Sequence, residues 1–81
     1  MENRLLELRK RYRYSREELE RVSGINHGTI QKLENGSLQF ENCKLITLIS
    51  LASAFHVPVV SILPNELRNK IMYNGIDDSS N

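Results

Sequence analysis

The sequence contains very little cysteine, tryptophan or proline, and it has no long apolar run. Among its 81 residues there are one cysteine, two prolines and no tryptophan. The single cysteine, Cys43, excludes an internal disulfide, so one hydrophobic core has to hold a domain of this size. No apolar run approaches the roughly 18 residues that a membrane-spanning helix needs. The stretch MENRLLELRK at the start is charged and amphipathic. We therefore expect no signal or transit peptide and no membrane partner, but a cytoplasmic protein.

The sequence also lacks a large excess of basic over acidic residues, because the net charge is only +1. Residues 1–32 contain eight Lys and Arg against five Glu, whereas residues 33–81 contain three Lys and Arg against five acidic residues. The basic excess therefore lies in the first half and is densest at Arg9, Lys10, Arg11 and Arg13. Such a stretch fits a nucleic-acid-binding surface and a merely solvated helix face equally well, so charge alone leaves both open.

Motifs of catalysis and of metal binding are missing too. The sequence has no Ser/His/acid spacing, no glycine-rich phosphate loop and no paired carboxylates facing inward, so we expect neither an enzyme nor a cofactor. His27 and His56 lie on different predicted elements, and Cys43 has neither zinc-finger nor zincin spacing from them, so no metal site is expected. For Cys43 itself we favour a small core residue over a redox-sensing thiol.

What the sequence does contain is helical periodicity. Leu5, Leu8 and Tyr12, widened by Leu6, predict an amphipathic helix over residues 2–13. Residues 42–55 form the most apolar segment and predict a central core helix. Pro58 suits the first turn of a short helix ending near Leu63, and a last helix is predicted over residues 66–73. No clear alternating strand pattern occurs. We therefore expect an all-α fold, with one domain over residues 1–75 and a polar tail over residues 76–81.

Two short helices with clear ends lie between these segments. Ser15 and Glu18 have the spacing of a capping box, which begins a helix carrying Leu19 and Val22 inward. Gly24 is a natural left-handed stop for that helix. Asn26 is a good N-cap for the next helix, which has a narrow apolar seam and is closed by Asn-Gly at positions 35–36. Helices of about eight residues joined by three or four residues around a glycine are typical of a helix-turn-helix.

The segment YSREELERVSGINHGTIQKLENG, residues 14–36, resembles the Cro/cI-like (XRE) helix-turn-helix family of bacterial and phage regulators. The resemblance continues through the apolar helix to FHVP at positions 55–58 and spans about residues 3–63. It rests on several features in register, namely Ser15, Glu18-Leu19, Gly24-Ile25, Ile30, Leu33-Glu34 and Asn35-Gly36. It implies a compact five-helix lambda-repressor-like domain, with the helix-turn-helix at helices 2–3 and an extra C-terminal helix. The implied function is sequence-specific binding of double-stranded DNA by a bacterial or phage-encoded regulator, most simply a repressor, associated with the nucleoid when bound.

The resemblance also implies which residues contact DNA. The helix over residues 27–34 would lie in the major groove, with His27, Gly28, Gln31 and Lys32 at base-reading positions. Gln31 can bond adenine through two hydrogen bonds, Lys32 suits guanine O6 and N7, and His27 can donate to an acceptor edge or a phosphate. Gly28 either allows close approach or leaves its position unread. The plain alternative is that these are solvated polar residues. The phosphate-contacting positions implied are Arg16 (where the family usually has Gln), Asn26, Thr29, Asn35 and Ser37, with Arg11 and Arg13 as further candidates.

Arg9 and Glu34 match positions that form a salt bridge in related repressors, and we expect them to pair and fix the angle of the recognition helix. Two positions depart from the family. Glu20 stands where Ala is usual, which would require either that Gly28 makes room or that Glu20 swings out beside Lys32. Ser23 stands where a larger apolar residue is common, with Val22 as the candidate to compensate.

The resemblance further implies a homodimer on a near-palindromic operator. The helix after the family segment offers Leu67, Ile71 and Met72 beside Ile62 and Leu63 as a dimer interface, although these residues could equally fold back onto their own core. An alternative function is a protein-interaction module, such as an antitoxin or partner-binding subunit, with a toxin or co-regulator as its partner and DNA binding secondary or lost.

Overall fold

Every regular element of the computed structural model, which describes residues 3–71, is helical. This confirms the predicted all-α class. Two short 3₁₀ helices, Phe40–Asn42 and Val59–Ile62, flank the fourth α-helix. The α-helices are α1 (Arg4–Arg11), α2 (Arg16–Ser23), α3 (His27–Asn35), α4 (Leu45–Ala54) and α5, which begins at residue 65 and includes the last described residue, 71. The expected helix end at residues 74–75 and the polar tail lie outside the described residues.

The helix ends around α2 and α3 are set by local chemistry. The Ser15 hydroxyl accepts from the Glu18 amide, and the Glu18 carboxylate accepts from the Ser15 amide, so both halves of the capping box are present. Gly24 and Gly36 end α2 and α3 in the left-handed region, at φ +78° and +85°. A Cβ added at either glycine would meet nothing within 4 Å, so the backbone angle, rather than lack of space, favours glycine there.

The core is built from one or two residues of each short helix. Leu5 of α1 and Leu19 of α2 are fully buried, and they meet residues of α3, α4 and the second 3₁₀ helix. The largest fully buried side chains are Phe55, Leu5, Leu19, Ile30, Leu33, Leu51, Ile62 and Leu63. Helices of this length are marginal alone, so this shared core is what keeps α2 and α3 helical.

The apolar helix α4 differs from its prediction in two ways. It begins at Leu45 rather than residue 42, because residues 40–42 form a separate 3₁₀ helix. It is also covered on one side only, since Leu45, Ile46 and Ile49 are 65%, 64% and 39% exposed. Its other side, with Leu48, Leu51 and Ala52, packs into the core. The segment is therefore a core helix as predicted, but its apolar surface is wider than its neighbours cover.

The C-terminal part of the chain corrects the predicted dimer interface. Ile62 and Leu63 are each 1% exposed and belong to the core, so neither forms part of a free surface. Leu67 of α5 packs partly against the same core, whereas Ile71 is 46% exposed. Met72 lies outside the described residues. Pro58 caps the second 3₁₀ helix in extended conformation instead of standing in its first turn. None of the helices described is long and apolar enough to cross a membrane.

Candidate nucleic-acid interface

The helix α3 is fixed on its inner side and open on its outer side. Ile30 and Leu33 are 0% and 1% exposed, so they anchor α3 in the core. His27, Gln31 and Lys32 are exposed. Positions 27 and 31, and positions 28 and 32, are each one helical turn apart, so the four predicted base-reading positions form two adjacent columns on one side of the helix. Only Gly28 among them is half-buried.

The turn between α2 and α3 is held by side-chain oxygens. The Ser23 hydroxyl accepts from the Ile25 amide at 3.1 Å, and the Asn26 Oδ1 accepts from the Gly28 amide at 2.7 Å. Ser23 is therefore a turn-forming residue here rather than a small substitute for an apolar one. Val22 is 51% exposed, so it does not compensate for Ser23 in the core.

Glu20 takes neither of the two positions expected for it. Its Oε1 accepts from the backbone amide of His27 at 2.8 Å and lies 2.6 Å from the ring Nδ1 of the same residue. These two hydrogen bonds, first that of the ring and then that of the amide, lower the pKa of Glu20. Glu20 thus joins the end of α2 to the first residue of α3.

Gly28 has a different reason to be small from the one expected. A Cβ at this position would stand 2.9 Å from Asn26 Oδ1, the atom that caps α3. The missing side chain therefore makes room for the Asn26 cap and not for Glu20. Sequence reasoning missed the Glu20–His27 contact, although a carboxylate at the end of one helix and a histidine at the start of the next were a usable signal.

The other end of α3 is held by a buried carboxylate. Arg9 Nε donates to Glu34 Oε2 at 2.6 Å, and Arg9 Nη2 donates to Oε1 at 3.1 Å, so the contact is bidentate. Arg16 Nε donates to the same Oε1 at 3.0 Å. The side chain of Glu34 is 2% exposed and that of Arg9 13%, whereas that of Arg16 is 41% exposed. The structure thus brings Arg9 and Glu34 together and adds Arg16 to them.

Two further bonds tie this end of α3 to α1. Arg9 Nη1 donates to the carbonyl of Tyr14 at 2.9 Å. Asn3, which caps α1 by accepting from the Leu6 amide, also donates through Nδ2 to the carbonyls of Leu33 and Glu34 at 3.1 and 3.3 Å. Asn3 was missed because its partners lie about 30 residues away, where a local pattern carries no signal.

The predicted phosphate-contacting residues lie around both ends of α3. Arg16 is partly engaged by Glu34, but only through Nε, and a guanidinium has five N–H donors. The Asn26 cap uses Oδ1, which leaves its amide nitrogen as the group that can donate to a phosphate. Asn35 Oδ1 accepts from the Ser37 amide at 2.9 Å, and both residues are exposed. Thr29 is half-buried.

Cys43 belongs to the packed part of the molecule. It is half-buried against the core, and this burial raises the pKa of its thiol. A thiol with a raised pKa is a poor nucleophile at neutral pH, which supports a packing role. Within residues 3–71, no group of three or more His, Cys, Asp or Glu side chains is placed to hold a metal ion.

Comparison with known proteins gives one match. A family model described as Helix-turn-helix matches residues 5–62, from α1 through the second 3₁₀ helix. Comparisons with curated proteins and with solved structures gave no match. The matched segment is well over half of the chain and contains α2, the glycine turn and α3 in full. The chain belongs to the Cro/cI-like (XRE) helix-turn-helix family of DNA-binding regulators.

Proposed function

We propose that this protein is a sequence-specific transcriptional regulator, acting as a repressor, that inserts α3 into the major groove of double-stranded DNA. The observation that carries the proposal is the contrast between the two sides of α3. Ile30 and Leu33 are buried and immobilise the helix, while His27, Gln31 and Lys32 stand exposed on the other side. A rigid helix with exposed polar residues toward its N-terminus is what this mode of groove binding requires.

The base-reading roles follow from side-chain chemistry. Gln31 can bond adenine N6 and N7, and Lys32 can donate to guanine O6 and N7, each pairing discriminating by about 1–3 kcal/mol. His27 reads a third position at the start of the helix. Gly28 has no side chain to contribute, so in this proposal its backbone approaches the DNA while its neighbours read the bases.

The phosphate contacts are proposed at the two ends of α3. Arg16 bonds Glu34 through Nε, so its outer guanidinium nitrogens can donate to a phosphate from an orientation that Glu34 already fixes. Asn26 and Thr29 would contact phosphates of the DNA strand near the start of α3. Asn35 and Ser37, in the exposed loop after α3, would contact phosphates of the DNA strand near its end.

We also propose a homodimer on a near-palindromic operator, with half-site centres about 34 Å apart. Because Ile62 lies in the core, it cannot contribute to this interface. Ile71 of α5 is the residue of the predicted interface that the structure describes as exposed. Sedimentation of Ile71→Glu tests it. Ile46→Glu is the matched control, because it places the same charge on another exposed apolar position. Dissociation of the dimer by Ile71→Glu alone supports the α5 interface, and a persistent dimer overturns it.

The decisive experiment is selection of bound sequences from random duplex DNA. We expect a half-site motif, repeated with inverted symmetry, in which one position becomes degenerate for Gln31→Ala and another for Lys32→Ala. The motif's spacing also measures the dimer geometry. A protein that enriches no sequence and binds DNA with no salt dependence would overturn the proposal.

A second candidate function, protein binding by a partner subunit or antitoxin, is favoured by the apolar surface of α4. Leu45, Ile46 and Ile49 are exposed, and Ile49 and Val22 line one shallow depression. Salt dependence separates the two functions. A phosphate-contacting protein loses DNA affinity steeply as salt rises, whereas burial of apolar residues against a partner protein is far less sensitive.

A further inference from the structure

The contact between Glu20 and His27 determines more than the start of α3. One carboxylate oxygen, Oε1, lies within hydrogen-bond distance of two nitrogens of the same residue, the backbone nitrogen at 2.8 Å and ring Nδ1 at 2.6 Å. The backbone nitrogen always carries a hydrogen and can only donate. What the ring nitrogen does depends on which tautomer His27 adopts.

The carboxylate fixes that tautomer. An ionised carboxylate has no hydrogen and can only accept, so a close contact with Nδ1 requires the hydrogen to be on Nδ1. The lowered pKa of Glu20 keeps this carboxylate ionised at neutral pH. In a neutral imidazole only one nitrogen carries a hydrogen, and Nε2 is therefore left as an acceptor.

The ring is also oriented by this bond. The two ring nitrogens point in divergent directions, so a ring held at Nδ1 by Glu20 presents Nε2 away from α2. About half of the His27 side chain is exposed, at 51%. Nε2 is thus the ring nitrogen left to bond a ligand at this exposed residue.

We infer that Glu20 is a specificity-determining positioning residue, which makes neutral His27 a hydrogen-bond acceptor toward the base edges. This inference rests on the proposed function. In the major groove the donors that Nε2 could accept from are adenine N6 and cytosine N4. Donation to an acceptor edge or a phosphate, the role expected from the sequence, would instead require a hydrogen on Nε2.

The other charged groups near α3 are engaged elsewhere. Arg9 of α1 and Arg16 of α2 are both bonded to Glu34 at the opposite end of α3. Glu18 of α2 caps its own helix at Ser15. Glu17 and Arg21 of α2 are exposed, and Lys32 lies on α3 more than one turn from His27. Among the described residues, Glu20 is the charged group hydrogen-bonded to the ring of His27.

The first test uses the free protein and no DNA. Nitrogen-15 NMR of the histidine rings distinguishes an Nδ1–H tautomer from an Nε2–H tautomer. The exposed His56 gives an internal reference. We expect His27 in the wild type to carry its hydrogen on Nδ1, and Glu20→Gln to shift it toward Nε2, because an amide can also donate to Nδ1. The matched control Glu17→Gln removes the same charge from an exposed position of α2 and should leave His27 unchanged. An Nε2–H tautomer in the wild type overturns the inference.

The second test selects bound sequences from random duplex DNA at about pH 8. The position read by His27 is the one that becomes degenerate in His27→Ala. There we expect adenine or cytosine, the bases with a donor for Nε2. Glu20→Gln should reduce this preference by about tenfold, whereas Glu17→Gln should keep it.

The results of the two tests distinguish the role of Glu20 from the proposed function. Equal preferences for Glu20→Gln and Glu17→Gln, or guanine or thymine at this position in the wild type, overturn the role of Glu20. If Glu20→Gln does not fold, Glu20→Ala is measured in its place and is expected to lose the preference as well. A wild type that enriches no sequence overturns the proposed function and the base preference with it, while the NMR result still judges the Glu20–His27 pairing by itself.

Discussion

The two ends of α3 are held by the same chemistry in opposite surroundings. At each end a glutamate carboxylate accepts hydrogen bonds from nitrogens of a neighbouring segment. At the C-terminal end the Glu34 side chain is 2% exposed and its partner Arg9 is 13% exposed. At the N-terminal end the side chains of Glu20 and His27 are 41% and 51% exposed. Burial is therefore the main difference between the two contacts.

Because of this difference in burial, we expect the two contacts to have different roles at the two ends of α3. A buried charge without its partner is costly, so we expect the Arg9–Glu34 pair to hold α3 in one arrangement. An exposed pair contributes little to stability because water screens it, so the Glu20–His27 pair can change with pH or on contact with DNA. We expect variants at the buried end to change folding and variants at the exposed end to change base preference.

The largest effect is expected at the buried end. Glu34→Ala leaves the Arg9 guanidinium buried without its carboxylate, and it should lower the free energy of unfolding by about 3 kcal/mol. For a domain of this size that corresponds to a fall in Tm of roughly 12–24 °C, measured by circular dichroism. Arg9→Ala should have a similar effect.

The double mutant shows whether the two residues act as a pair. Arg9→Ala together with Glu34→Ala should be less destabilising than the sum of the single variants, with a coupling of about 1–3 kcal/mol. The control combines Arg9→Ala with Glu41→Ala, a change of an exposed carboxylate elsewhere in the fold. If both combinations are additive, the pair does not fix α3.

Arg16 should affect binding more than folding. Its side chain is 41% exposed, so Arg16→Ala should lower the free energy of unfolding by less than about 1 kcal/mol. Loss of one phosphate contact should reduce the slope of log affinity against log salt by about one unit. Arg16→Lys keeps the charge and should retain most of the slope. An unchanged slope in Arg16→Ala would show that Arg16 does not contact a phosphate.

Acid should weaken the exposed contacts of Glu18 and Glu20. The pKa values of Glu18 and Glu20 are lowered, by the hydrogen bonds from Ser15 and His27 respectively. A lowered pKa in the folded state means that the stabilisation is fully present above the ordinary glutamate pKa of about 4.3 and is lost as the pH falls below it. Denaturant unfolding between about pH 2 and 7 measures this loss. Glu18→Gln and Glu20→Gln should each flatten the profile, and Glu17→Gln should not.

The smallest effect is expected at Cys43. Because burial raises the pKa of its thiol, Cys43 should react with a thiol reagent at neutral pH more slowly than a small free thiol. The rate should increase as the pH is raised. Mild oxidation should leave the DNA affinity unchanged. Fast reaction at neutral pH would restore the redox-sensing interpretation.

Sequence reasoning succeeded where the determinants are local. Ser15 and Glu18 form their capping box, Gly24 adopts the left-handed conformation, and Asn26 caps α3. Each of these depends on residues within one turn of the helix. The Arg9–Glu34 contact spans 25 residues and came only from the family resemblance.

The features that the sequence did not predict depend on which elements pack against each other. Ile62 and Ile46 are equally apolar in sequence, yet one is 1% and the other 64% exposed, because only one of them has a covering neighbour. Asn3 bonds carbonyls of α3 that lie about 30 residues away in the sequence, and Glu20 bonds His27 across the turn between α2 and α3. The neighbours of Ile62 and the partners of Asn3 cannot be identified before the helices are placed in space, whereas the Glu20–His27 contact had a local signal in the sequence.

The caps of α3 also limit how much DNA one molecule can inspect. Asn26 begins the helix and Gly36 ends it after nine residues, a length of about 13 Å at 1.5 Å per residue. Successive base pairs are about 3.4 Å apart, so a helix of this length passes about four of them. Four positions define only about 250 different sequences, far fewer than the roughly 10⁶ or more sites of a genome. In the proposed homodimer, two copies of α3 on one operator would double the number of base pairs read, which a single helix of this length cannot do.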